Sequence, residues 1–265
     1  MRCFGFLASA LCLGLPFPAA SAGDLPVDLE LVLAVDVSPS MDPDEQRIQR
    51  QGYVAGFRDP AVIQAVTAGP LGRIAVAYFE WARPGFSVVA VPWTVIANRK
   101  DAEGFAARLA ATRPASEIGT SISSALLVAS GMFANNGYTS GRRAIDLSGD
   151  GPNNAGLPVN EVRDSLVNHG FVINGLPIMV RFNPADGDIP NLDGYYQDCV
   201  IGGPGAFMIR ITDASEFEAA IRRKLVLEIS SAKSRAIEAA LTTVTATTDC
   251  QIGEKLRLRA LLPDR

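Results

Sequence analysis

The stretch "LELVLAVDVSPSMDPDE", residues 29–45, decides the fold. Its first half, "LELVLAVD", is almost continuously aliphatic and lacks the alternation of a half-exposed strand, so it reads as a strand buried on both faces of a parallel sheet. The run stops at a carboxylate, Asp36, and two hydroxyls follow at Ser38 and Ser40 on either side of Pro39. Asp42-Pro43-Asp44-Glu45 then reads as an N-cap, a proline at the first helical position and a capping-box Glu, opening a helix through about Phe57. Strand, short polar loop and helix in that order start a βα unit, and a second helix start follows at Asp59-Pro60.

Downstream segments extend the pattern. "RIAVAYFEWA" and "FSVVAVPWTVI" are strand-like and separated by the turn signal "RPG", so they are expected to pair as an antiparallel hairpin, with Pro92 placing the second at an edge. A short amphipathic helix is expected over Asp101–Ala111. Ile122, Ala125, Leu126, Ala129 and Phe133 mark one face of another. "RRAIDLSGDGPNN" reads as a strand entering a Gly/Asn loop, "NEVRDSLVNHG" as a helix closed by Gly170, "FVINGLPIMV" as a buried strand, "AFMIRIT" as a last strand and "SEFEAAIRRKLVLEIS" as a last helix. The expected fold class is α/β: a doubly wound, mostly parallel six-stranded sheet with one antiparallel edge strand and helices on both faces. Beyond about Ser230 the chain reads as a helical extension followed by a threonine-rich strand.

Residues 1–22 combine Arg2, an apolar run from Phe4 to Leu15 and the small-x-small triplet Ala20-Ser21-Ala22, the form of a cleavable signal peptide cut after Ala22. The apolar run falls short of the ~20 residues that span a bilayer, so export to the periplasm or beyond is expected, with no membrane insertion after cleavage. A lipid anchor at Cys12 is disfavoured because Leu11 precedes it where a small residue is usual. Cleavage removes one basic residue and no acidic one, moving the balance from 24 against 28 to 23 against 28, a net charge of −5. That mildly acidic balance gives no footprint for nucleic acid or for an anionic membrane surface. Cys3 and Cys12 leave with the signal. Cys199 and Cys250 remain as a pair in an oxidising compartment and are expected to form a disulfide rather than a redox dithiol, which favours close CxxC spacing. The domain layout is then a signal peptide (1–22), one domain (23–232) and a tethered C-terminal extension (233–265).

In doubly wound sheets ligands bind beyond the carboxyl ends of the strands, where neighbouring connections diverge. Asp36, Ser38 and Ser40 sit there. Carboxylate and hydroxyl oxygens are hard ligands that suit Mg²⁺, Mn²⁺ or Ca²⁺ and do not suit zinc. Taken alone, Asp-x-Ser-x-Ser is better read as a helix-entry turn with local serine caps. Two further pieces fall at the same edge: Thr120 in "IGTSISSALL", just before a helix, and Asp150 in "DLSGDG", after another strand.

These three motifs, in this order, resemble the von Willebrand factor A domain family, whose metal-ion-dependent adhesion site they carry, and the resemblance runs from about Val27 to about Ser230. It implies that Ser38, Ser40 and Thr120 offer hydroxyls to one divalent cation, Mg²⁺ first with Mn²⁺ or Ca²⁺ as alternatives. It also implies that Asp36 and Asp150 bind the ion directly or through water, and that a partner protein supplies the last ligand from an exposed Asp or Glu. That is a binding mechanism, not an enzymatic one. The third motif departs from the family's usual Thr-Asp-Gly or Ser-Asp-Gly, since Gly149 separates Ser148 from Asp150. Asp146 is a mid-strand substitute, but its side chain is expected to follow the sheet face. The variant motif, the signal peptide and the lack of accessory domains look like a bacterial secreted branch of the family.

Other residues carry weaker chemical signals. Asp186, Asp188 and Asp193, in the loop 181–205, do not have EF-hand spacing and read as a solvated turn. That loop is expected to begin on the metal face. Tyr195 and Tyr196 fit either exposed contacts or lids over the core, and "GGPG" is a turn because no helix start follows it. His169, the single histidine, sits at a helix end as a cap, and no Gly-x-Ser-x-Gly elbow accompanies it. Two other functions compete with binding. One is a Mg²⁺-dependent periplasmic hydrolase or phosphatase, although Ser38 occupies the place of that chemistry's second aspartate; the other is a structural protein with a vestigial site.

Overall fold

The computed structural model describes residues 23–41, 43–184, 187–230 and 248–262. The signal-like segment, the Asp42 cap, Asp186 and the threonine-rich stretch lie outside the described residues.

Strand β1 (Leu25–Pro26) precedes β2 (Glu30–Asp36), then α1 (Pro43–Arg58), α2 (Pro60–Thr67), β3 (Ile74–Trp81), β4 (Ser87–Ile96), α3 (Arg99–Ala111) and α4 (Ile122–Gly131). After β5 (Tyr138–Thr139) come β6 (Arg143–Gly149), α5 (Val159–Asn168), β7 (Phe171–Pro177), a short turn α6 (Leu192–Tyr195), α7 (Phe217–Ile229) and α8 (Ile252–Leu261). The main sheet runs β4-β3-β2-β6-β7. All neighbours are parallel except β4, which pairs antiparallel with β3 at the edge and carries Pro92. β1 and β5 form a separate parallel pair.

The continuous apolar run of β2 is explained by two buried faces. Leu31, Leu33 and Val35 join Tyr53 and Phe57 of α1, Phe105 of α3 and Ile221 and Leu225 of α7. Val32 and Ala34 point the other way, to Ile122 and Leu126 of α4, Val162 and Leu166 of α5, and Tyr195 and Tyr196. Period-2 alternation thus exists, but both sets are apolar. β2 is central, β3 lies on one side and β6 on the other, and the connections leaving β2 and β6 pass to opposite faces through α1 and α5. The crevice between the carboxyl ends of β2 and β6 is therefore the topological switch point.

The expected sixth strand, "AFMIRIT", lies beside β7 but forms only isolated parallel bridges, Gly175 with Met208 and Ile178 with Ile211. The amide of Gly175 donates to Phe207, that of Ile209 to Gly175, that of Ile211 to Pro177 and that of Met179 to Ile211. The bond missing from this series would come from residue 177, a proline with no N–H to give. One residue type splits the ladder. Tyr195 and Tyr196 are fully buried, which settles them as core residues, and Gly203 and Gly205 take positive φ in the turn "GGPG".

Candidate metal centre

Asp36 ends β2 and is wholly buried. One carboxylate oxygen, Oδ1, accepts the Ser38 amide at 2.8 Å. The other, Oδ2, is buried without any hydrogen-bond partner. Ser38 Oγ and Ser40 Oγ are 3.0 Å apart, and Ser40 Oγ donates to Asp150 Oδ1 at 2.9 Å. Thr120 lines the same cleft, of about 700 Å³, as Ser38 and Ser40. All five residues singled out in the sequence thus converge on the carboxyl edge of the sheet.

Gly149 is the reason the extra residue in the third motif is tolerated. A Cβ at that position would stand 2.9 Å from the Tyr196 hydroxyl and 3.0 Å from Asp36 Oδ2. Only a glycine lets β6 pass this close to Asp36 and still deliver Asp150 to Ser40. Asp146 does not substitute: it is buried deeper in β6 and pairs with Lys224 Nζ at 2.7 Å.

Burial pushes the Asp36 carboxyl well above the usual carboxylate range, and the neighbouring Asp150 adds to the rise. Asp150 is raised to about 7, first by burial, with Ser40 pulling it down and Asp188 and Glu45 pushing it up. Asp36 is buried and Asp150 half-buried, and two acids this close are stabilised as anions by a cation placed between them. Among the described residues no three His, Cys, Asp or Glu side chains gather to hold a metal. The donor set here is a different one, three hydroxyls and two carboxylates, and the orphaned Oδ2 of Asp36 fits a hard divalent ion.

Several positioning groups had not been singled out in the sequence. Gln46 Nε2 donates to the carbonyls of Val37, Ser38 and Met41 at 3.4, 3.3 and 3.2 Å, clamping the loop that bears both serines. Asn154 accepts the Thr120 amide on Oδ1 at 3.1 Å, and its own amide donates to the Thr120 carbonyl at 2.9 Å. Asn153 Oδ1 caps the next turn through the Ser123 amide at 3.0 Å. A signal existed: Gln46, Gln49 and Arg50 share the inward stripe of α1 with Tyr53 and Phe57, and polar residues on a core-facing stripe need partners.

The loop after β7 does start beside this site, where Arg181 Nε lies 3.2 Å from Glu45 Oε1. Asp188 accepts the Asn183 amide at 2.7 Å while Asp193 pairs with Arg210 at 2.9 Å, so these two acids serve separate turns. His169 closes α5, its Nδ1 2.7 Å from the Ser165 carbonyl. Cys199 and Cys250 form a disulfide with Cα atoms 5.5 Å apart.

A five-stranded sheet with this order, its switch-point crevice and the motif cluster define a von Willebrand factor A fold, and solved structures share it. A proximal thread matrix protein from the mussel byssus, described with a zinc-occupied MIDAS motif, superposes with a TM-score of 0.53 at 13% identity, covering 77% of this chain and 46% of that one. A von Willebrand factor type A protein from Catenulispora acidiphila gives 0.54 at 15% identity over 77% and 43%. The pilus adhesin SpaC from Lactobacillus rhamnosus GG gives 0.56 at 14% over 78% and 31%. The chain spans less than half the length of each of these proteins. A family model described as "Protein of unknown function (DUF1194)" matches residues 26–233, and the chain belongs to that family. No curated protein matches it.

Proposed function

We propose that this protein is an exported, divalent-cation-dependent protein-binding module. Asp36, Ser38, Ser40, Thr120 and Asp150 would hold the ion, Mg²⁺ first, and an Asp or Glu of a partner protein would complete its coordination. The observation that carries this reading is the buried, unpartnered Oδ2 of Asp36 beside the Ser38–Ser40–Asp150 chain. A bound divalent ion supplies positive charge and an open coordination position; the serines and Thr120 add no negative charge, so that position stays attractive to a carboxylate. Export is supported by the signal-like segment and by the disulfide. Among the described residues no helix is long and apolar enough to cross a membrane.

Calorimetric titration with Mg²⁺, Mn²⁺, Ca²⁺ and Zn²⁺ tests the site. Saturable heats are expected in the wild type and none in Asp36→Ala or Ser38→Ala, and equal heats in all three would sink the reading. The partner claim is tested by capture from periplasmic extract with and without chelator, because a complex that survives chelation is not metal-bridged. Turnover of p-nitrophenyl phosphate by the metal-loaded protein would favour the hydrolase reading instead.

A further inference from the structure

Helix α8 lies beyond the residues matched by the family model, which end at 233. It is nonetheless built tightly onto the metal face. The Cys199–Cys250 disulfide anchors the chain two residues before it. A Cβ at Gly253 would meet the Asn153 carbonyl oxygen at 2.2 Å, so the first turn of α8 touches backbone of the loop that follows Asp150. Asn153 Nδ2 donates to Glu254 Oε1 at 2.6 Å. The Tyr195 hydroxyl accepts the Asn153 amide at 3.1 Å and donates to the Cys250 carbonyl at 3.4 Å. These contacts join α8 to the same Asn153-Asn154 pair that positions Ser123 and Thr120.

That packing makes α8 a wall of the cleft. Leu256 and Arg257 line it together with Ser38, Ser40, Thr120 and Arg83. Arg83 packs against Gly119, whose Cβ position is 3.2 Å from the Arg83 Cβ, and pairs with Glu117 at 3.3 Å. Arg257 is exposed and its Nη1 lies 3.5 Å from the Asn154 carbonyl; among the described residues no carboxylate pairs with it. In a chain whose net charge is negative, the wall beside the metal site therefore presents a guanidinium with no acid of its own.

We propose that α8 is a partner-selecting wall, and that Arg257 recognises a second acidic residue in the same partner segment whose first acid reaches the cation. The proposal rests on the metal-bridge reading above. It narrows the partner to a protein segment carrying two acids a few residues apart, one read as a metal ligand and one by a planar donor fork suited to carboxylate. Leu256 adds an apolar contact on the same wall.

The test is selection of displayed random linear peptides on the purified protein in Mg²⁺, in chelator, and on the variants Arg257→Glu and Arg259→Glu. Arg259 makes the same charge change on the same helix without lining the cleft. The wild type and R259E are expected to enrich peptides with two acidic residues. R257E is expected to retain one and lose the second, with the best wild-type peptide bound roughly fivefold more weakly. Enrichment of single-acid peptides by the wild type, the same peptides on R257E, or no enrichment at all overturns the proposal. Two-acid peptides that persist in chelator and still need Arg257 would instead sink the metal bridge and leave the arginine wall standing.

Discussion

Replacing Asp36 by Asn separates the metal-site reading from a purely structural one, because it is expected to stabilise the protein and disable it together. In the absence of metal, Asp36 is fully buried, its Oδ2 has no hydrogen-bond donor, and Asp150 lies close enough to raise its pKa further. A buried acceptor left unpaired costs about 1–3 kcal/mol, more when it is charged. An asparagine keeps the shape and the oxygen that accepts the Ser38 amide at 2.8 Å, removes the charge, and puts an amide donor where Oδ2 stood, on the side of Gly149 where the Tyr196 hydroxyl also lacks a partner. The metal-free variant should gain about 1–3 kcal/mol, or roughly 2–10 °C in melting temperature for a chain of this size. The wild type has the opposite response to metal: an ion at a hundred times its dissociation constant adds ~2.7 kcal/mol, and the variant forgoes that gain. Thermal melts in chelator and in saturating Mg²⁺ are the assay. The variant is expected to melt higher in chelator, and the gap to close or reverse in Mg²⁺. An Asp36→Asn protein that melts at or below the wild type in chelator would show that the carboxylate is satisfied in the folded chain and that no ion is needed to explain it.

Four other outcomes follow from particular contacts. Ser40→Lys places an internal cation where Ser40 Oγ meets Asp150 at 2.9 Å; the metal-free melt should rise and the Mg²⁺-induced shift disappear, both read in the same thermal scans. Gly253→Val cannot keep the 2.2 Å approach to the Asn153 carbonyl, so α8 should lift from the cleft, seen as faster amide exchange in 252–261 with exchange in β2 unchanged. Converting both Cys199 and Cys250 to Ser opens a loop of 51 residues and is expected to cost about 4 kcal/mol by urea denaturation. Glu228 is held up at about 7 by burial and by Asp146, against the pull of Lys224. Its folded pKa exceeds the unfolded value of 4.5, so this contribution is full below that value and is lost as pH rises through about 7. Urea midpoints should therefore fall over that window, and Glu228→Gln should flatten the fall.

The fold was legible where burial and turn chemistry are local. "LELVLAVD" reads correctly because a strand covered on both faces needs apolar residues at every parity, and Pro43 and Asp59-Pro60 mark helix starts by the backbone groups they leave free. The sixth strand was legible as an apolar run but not as a broken ladder, since the break comes from Pro177 on its neighbour. The candidate site was legible because three short motifs fall at the same strand edge in a fixed order. Its support was not. Gln46, Asn153 and Asn154 act through carbonyls and amides far away in sequence, and nothing in a window around them names those partners. α8 escaped for a related reason: its seat is the Asn153 carbonyl beneath Gly253, a hundred residues away in sequence.

The two acidic pairs attached to β6 differ in what lies between their carboxylates. Asp146 lies mid-strand, and α7 delivers Lys224 to it at 2.7 Å; the same ammonium meets Glu228 at 2.5 Å, and Asn174 Nδ2 donates to Glu228 at 3.0 Å. That pair of carboxylates has a cation built into the chain. Four residues later Asp150 faces Asp36 across two serines; burial raises all four acids, but here the side chains between the pair are neutral. A sheet able to place a lysine under one acidic pair could have been given one under the other, with a gain in stability. The rim instead carries hydroxyls, which can ligate a cation but cannot replace it, and Gly149 keeps the space beside Asp36 Oδ2 clear. On the metal-bridge reading, an exchangeable ion would supply the positive charge between Asp36 and Asp150, beside the cleft that Arg83 and Arg257 line.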